Sequence, residues 1–303
     1  MDRSLFGQPE PRDVPRTIEQ GFLDFHEKLK PSLIESGAAK RHRASIEACL
    51  TNNFGLRRFV RIGSFGNGTN ISGYSDVDYL ACLPTDQLTR SSTYSLQKVR
   101  DGLAARFPNT GIRVDCPAVV CPFGTNPAER TEVVPADYVD ENKGYQVYDI
   151  ADCVGGWMNA SPDAHNAYVR YVDKKLGGKV KPLIRFIKAW KCFRDVPISS
   201  FYLKLRVAKY AASETSILYD IDVKRVLRSL WDGQLADMQD PRGISGYIPA
   251  CKTAAFRADA LSKLSTAVAR AEKAREASGK GDISGAFDWW RLLYDYGFPT
   301  YYY

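Results

Sequence analysis

Ile18, Phe22, Phe25 and Leu29 recur at three- and four-residue intervals, so the chain opens on a helix that buries one apolar stripe. A second helix is expected at about residues 41–52. The pattern then changes to short apolar runs: 58–62 and 77–83 read as strands on either side of a glycine-rich loop. A helix over 91–107 leads to 112–116, where apolar and polar residues alternate, and Thr-Glu-Val-Val at 131–134, closed by Pro135, reads as a further strand. The Gly- and Asp-containing stretch 137–161 is expected to be an irregular crossing. From Ser161-Pro162-Asp163, a helix-start signal, the rest looks helical: about 162–176, 179–193, 199–214, 222–236 and 253–277. Strands first and helices afterwards predict an α+β fold. A small mixed sheet in 1–160, N-terminal helices included, would be followed by a helical lobe in 161–303, with a ligand cleft between the two.

The loop is where chemistry enters. Gly63-Ser64-Phe65-Gly66-Asn67-Gly68-Thr69 is followed at once by Ser75-Asp76-Val77-Asp78. Glycines let backbone N–H groups turn tightly and cradle an anion, and the Ser64 hydroxyl adds a donor. On a strand, Asp76 and Asp78 project to one side about 7 Å apart. Carboxylates so placed suit a hard cation such as Mg²⁺, with Mn²⁺ as a substitute, shared with substrate phosphates. Asp220-Ile221-Asp222 has the same spacing but no glycine loop, and it precedes a helical run, so it reads as a structural cap. Asp115, flanked by Val114 and Cys116, is expected to face outward beside the first pair, as a third metal ligand or as the group that takes the proton from an attacking hydroxyl. Its bland alternative is a solvated aspartate on an amphipathic strand.

Together these residues resemble the active site of the polymerase-β-type nucleotidyltransferases. More narrowly they resemble the cGAS/DncV-like branch, the bacterial relatives of cyclic GMP-AMP synthase and 2′-5′ oligoadenylate synthetase. Lys181-Pro-Leu-Ile-Arg-Phe-Ile-Lys188-Ala-Trp190-Lys191, followed by Ile198-Ser199-Ser200-Phe201, is similar to the helix, loop and helix with which that branch holds its donor nucleotide. The resemblance implies that Gly63 and Ser64 hold the triphosphate, that Asp76, Asp78 and Asp115 bind Mg²⁺, and that Lys188 and Ser200 touch phosphate. It also implies that Phe201 stacks on a base. Several relatives carry tyrosine at that position, so base choice cannot be inferred there. Further implications are ATP or other nucleoside triphosphates as substrates, a cyclic di- or trinucleotide as product, a downstream effector that responds to it, and a part in anti-phage signalling. Without the resemblance, Lys181, Arg185, Lys188 and Lys191 read as the wet face of a helix that buries Leu183, Phe186, Ile187 and Trp190, and Phe201 reads as core.

Composition adds limits. The 303 residues are 44% hydrophobic and 25% charged, ordinary for a globular protein, and the net charge of +7 suits polyphosphates and nucleic acids alike. Seven cysteines without a Cys-x-x-Cys pair suggest free thiols in a reducing compartment, and none of the three histidines has zinc-ligand spacing. The zinc insertion with which animal relatives grip DNA is therefore not expected, which leaves a nucleic-acid activator without an obvious seat. No apolar run approaches a membrane span and the amino terminus lacks a signal-peptide core, so a cytoplasmic protein is expected. Two rivals stand beside cyclic synthesis. One is an enzyme of this fold making linear oligoadenylate or modifying another acceptor; the other is a catalytically inert module that senses nucleic acid.

Overall fold

The computed structural model describes residues 14–31, 33–124 and 129–303. Seven strands form the main sheet: β1 (Arg58–Arg61), β2 (Val77–Leu83), β3 (Arg113–Asp115), β4 (Ala118–Pro122), β5 (Arg130–Asn142), β6 (Tyr145–Ala151) and β7 (Trp157–Ala160). Its path is β1-β2-β5-β4-β3, with β6 paired to β5 and β7 to β6. β2 and β5 run parallel while the other pairs are antiparallel. The helices are α1 (Ile18–Leu29), α2 (Leu33–Phe54), the short α3 (Gly63–Asn67), α4 (Ser92–Arg106), α5 (Pro162–Lys175), α6 (Val180–Phe193), α7 (Ser200–Ala212), α8 (Tyr219–Asp232), α9 (Ala254–Gly279) and α10 (Ile283–Leu293). A two-stranded ribbon, β8 (Met238–Gln239) and β9 (Tyr247–Ile248), lies between α8 and α9. No helix among the described residues is long and apolar enough to cross a membrane.

Two main hydrophobic clusters form. One packs α2 and α4 on the sheet through Ile46, Leu50, Val77, Tyr79, Leu96, Leu103 and Val133. The other joins α5 to α10 and includes Phe22, Phe25 and Leu29 of α1. α1 thus packs in the helical half rather than with the sheet, as the expected division at residue 160 had it. Phe22 meets Phe186, Trp290 and Phe298 edge to face, and those rings are supplied only by the second half of the chain.

The stretch 137–161 is not an irregular crossing. β5 continues through Pro135 to Asn142 and folds back as β6 and β7 around Lys143-Gly144, both at positive φ. Pro135 is tolerated because the flank of β5 changes partner there: β4 pairs up to Val133 and β6 begins at Ala136, so no donor is required between them. The cysteine expectation also fails in part. Cys116 and Cys153 form a disulfide with Cα atoms 5.6 Å apart, tying the turn between β3 and β4 to the turn between β6 and β7. Cys49, Cys82, Cys121, Cys192 and Cys251 are free thiols.

Candidate active site

Gly63 opens α3 at φ +58°, and a Cβ there would lie 1.8 Å from Asp78 Oδ2. Only glycine satisfies both the left-handed backbone and this approach. The loop and the carboxylate are therefore one unit, held further by the Ile62 N–H donating to the Asp78 carbonyl at 2.8 Å. The N–H groups of Gly63, Ser64 and Phe65 begin the helix and have no intrahelical acceptor, which leaves them for an anion or water.

α6 fastens the loop from beneath. Arg185 Nε donates to the Asn70 carbonyl at 3.0 Å and Lys188 Nζ to the Thr69 carbonyl at 3.0 Å. Lys188 is 4% exposed, so it lies under the loop rather than at its mouth, contrary to the role expected for it at phosphate. Lys191, one turn further along, donates to Ser200 Oγ at 2.9 Å and is close enough to Asp76 to favour its charged form. The helix periodicity marked these cations as a wet face; two of them instead spend their charge on buried carbonyls. Trp190 is core, as read.

Asp76 and Asp78 stand at the start of β2, and the third carboxylate beside them is Glu132 rather than Asp115. In the parallel pairing of β2 and β5, Asp78 is directly opposite Glu132, so both side chains share a face. The same register row continues through Val120 to Arg113, which puts Asp115 on the correct face but three strand spacings, about 14 Å, from β2. Asp115 is half exposed and ion-paired with Lys252 at 3.4 Å. Strand order is what defeated the expectation. In Thr-Glu-Val-Val, Val133 enters the core and Glu132 takes the opposite face, a parity readable in the sequence once β5 is known to be the neighbour of β2.

The three acids are crowded, and at Asp76 and Asp78 burial and like charge outweigh the cations around them. Burial, then the like charge of Glu132, pushes Asp76 up to about 6. Burial, then Glu132 and Asp76, pushes Asp78 up to about 7. Arg130, on the same face of β5, spans the cluster: Nη2 donates to Glu132 Oε1 at 2.8 Å and Nε lies 3.5 Å from Asp76 Oδ2. Among the described residues no three His, Cys, Asp or Glu side chains already stand as a metal cage. An all-carboxylate donor set whose ionisation is opposed by burial nevertheless fits a hard divalent cation, which would supply the missing positive charge.

Ser200, which accepts from Lys191, begins α7, and Phe201 is 36% exposed, its ring edge-on to His165 at 5.1 Å. His165 is itself fixed by Asp240 at 2.9 Å, and Asp240 accepts N–H groups from Arg242, Ile244 and Ser245. Phe201 is thus a held, half-open aromatic face and not a core residue. The second Asp-x-Asp is structural, as expected: Asp222 is buried and accepts from the Leu218 N–H and the Tyr210 hydroxyl.

Comparison with known proteins identifies the family and the fold. A family model described as the Second Messenger Oligonucleotide or Dinucleotide Synthetase domain matches residues 17–172. A probable cyclic nucleotide synthase of Bacillus cereus (strain VD146) is 27% identical over 197 residues, which is 60% of this chain and 58% of that protein, less than two thirds of its length. Escherichia coli MS115-1 CdnC, solved with ATP, superposes with a TM-score of 0.70 at 16% identity, covering 94% of this chain and 99% of that one. Vibrio cholerae DncV cyclic AMP-GMP synthase, solved with the linear intermediate pppA(3′,5′)pG, gives 0.61 at 16% identity over 93% and 88%. Bradyrhizobium diazoefficiens CdnG, solved with GTP, gives 0.66 at 11% identity over 91% and 96%. At these identities the solved structures establish a shared fold.

Proposed function

The chain belongs to the second messenger oligonucleotide or dinucleotide synthetase family, and on that premise we propose that it joins nucleoside triphosphates into a cyclic di- or trinucleotide. A 2′- or 3′-hydroxyl of one nucleotide attacks the α-phosphate of another and pyrophosphate leaves. A second round on the reoriented linear intermediate closes the ring. The observation that carries this reading is the packing of Asp78 against Gly63 with Asp76 and Glu132 on the same face.

In this reading Asp76, Asp78 and Glu132 would hold Mg²⁺ or Mn²⁺, which would supply positive charge against the phosphoryl oxygens. The backbone N–H groups of Gly63 and Ser64, with the Ser64 hydroxyl, grip the triphosphate, and Lys191 and Ser200 close on it from the helical side. Lys188 acts as a positioning residue that keeps the loop in shape. Phe201 stacks on a base, a contact worth about 1–3 kcal/mol that does not choose among bases. Glu132, on the same face as Asp78 and held by Arg130, is the carboxylate that would receive the proton of the attacking hydroxyl. Rate enhancement then comes from orientation and charge neutralisation rather than a covalent intermediate. The product would act in the cytoplasm on an effector of an anti-phage response.

Incubation with each radiolabelled nucleoside triphosphate and Mg²⁺ or Mn²⁺, followed by phosphatase and mass analysis, tests the reading. Phosphatase-resistant rings are expected, and their absence from an Asp76→Asn/Asp78→Asn double variant. Phosphatase-sensitive chains would favour linear synthesis, and full activity of the double variant would refute the site.

A further inference from the structure

Helix α7 carries a buried ammonium that none of these roles uses. Lys204 follows Ser200 and Phe201 by four and three residues, so the three share one face of the helix. Lys204 is 6% exposed, and its Nζ stands 4.9 Å from the centroid of the Phe201 ring. Among the described residues no carbonyl, hydroxyl or carboxylate accepts a hydrogen bond from that Nζ, and no acid comes within ion-pair distance. The charges it feels are a like one, Lys188, and more weakly that of Asp78.

A largely buried ammonium with no protein acceptor, its Nζ keeping only a little accessible surface, is costly to hold, and an apolar side chain of equal length would fill the same space at less cost. The ring face of Phe201 answers part of the charge but accepts no strong hydrogen bond. The position lacks an anion. It is beside the aromatic face and within electrostatic reach of Asp78, the carboxylate that packs on the glycine loop, while Ser200, one turn back along α7, accepts from Lys191.

We propose that Lys204 is a phosphate ligand of the bound nucleoside triphosphate, donating to the phosphate nearest Asp78. The inference rests on the nucleotidyl-transfer reading above and adds a residue to it. In the free protein Phe201 shelters the ammonium. When a base stacks on Phe201, the same nucleotide brings the phosphate that Lys204 lacks, so stacking and phosphate capture are linked through one side chain.

The test compares wild type with Lys204→Met, of similar length and without charge, by titration calorimetry in Mg²⁺. The probes are inorganic tripolyphosphate, the four nucleosides and the four 2′,3′-dideoxynucleoside triphosphates, which have no hydroxyl to react. The variant is expected to melt at or above the wild-type temperature. It should lose about tenfold or more in affinity for tripolyphosphate and for every triphosphate that wild type binds, and keep wild-type affinity for nucleosides. Should the methionine variant melt well below wild type, Lys204→Gln supplies the same comparison. Unchanged triphosphate affinity would overturn the inference while leaving the nucleotidyl-transfer reading intact. Equal losses for nucleoside and triphosphate would overturn it too, since the effect would then run through Phe201. A wild type that binds no triphosphate at all would remove the reading and the inference together.

Discussion

At the scale of single residues the account turns on which acids meet. Glu132→Gln should lower turnover by about a hundredfold or more, the loss typical when one group at a developing charge is removed. Asp115→Asn should leave it within about threefold, because an exposed pair with Lys252 contributes little. Steady-state kinetics on the two variants decide the matter, and the reverse ranking would restore Asp115. Acidity gives a second handle. An unfolded aspartate titrates at about 3.9, whereas Asp76 and Asp78 are raised to about 6 and 7 by burial and by the like charge of Glu132, to which Asp76 adds at Asp78. The folded, metal-free protein therefore keeps protons that the unfolded chain has released. Their contribution to stability is full below about pH 4 and is lost as pH rises through 6 to 7. In EDTA, urea melts should show wild type losing stability relative to Asp78→Asn between pH 5 and 8, although the variant makes no product. A wild type that gains over that range would contradict the site's electrostatics. Gly63, Asp76 and Asp78 were legible because adjacent residues fix their own geometry. Glu132 was not, since its place depends on which strand lies beside β2.

At the scale of elements, α6 shows what periodicity can and cannot tell. Its apolar stripe, Leu183, Phe186, Ile187 and Trp190, was plain in the sequence and is buried as read. The same spacing could not distinguish a lysine that meets water from one that meets the carbonyl of a distant loop, and Lys188 does the second. Lys188→Met should leave the Thr69 carbonyl unpaired, cost about 1–3 kcal/mol of stability and speed hydrogen exchange in residues 63–70. Denaturant melts and exchange by mass spectrometry report both, and an unaltered loop would show that the clamp has no consequence. The β5–β6 hairpin was missed for a related reason: Pro135 reads locally as a terminator, and only the change of neighbouring strand explains why it is not.

At the scale of the whole molecule, long-range pairings escaped the sequence altogether. α1 crosses to the helical core because its phenylalanines find Phe186, Trp290 and Phe298 there. The aromatic tail returns to the start of the chain, where Arg16 donates to the Thr300 and Tyr302 carbonyls and lies 3.7 Å from the centroid of the Tyr303 ring. Cys116 and Cys153, 37 residues apart, meet through turns whose proximity only the folded sheet creates. Thiol titration of the denatured, unreduced protein should find five free cysteines and not seven; seven would mean that the turns lie together without a bond. The two halves of the chain meet at the site where α6 fastens the glycine loop through Arg185 and Lys188. Anomalous diffraction from crystals grown with Mn²⁺ and a dideoxynucleoside triphosphate tests that arrangement most directly. Manganese is predicted on the oxygens of Asp76, Asp78 and Glu132, with the triphosphate on Gly63 and Ser64; manganese bound at Asp115, or a triphosphate seated away from the glycine loop, would contradict the account.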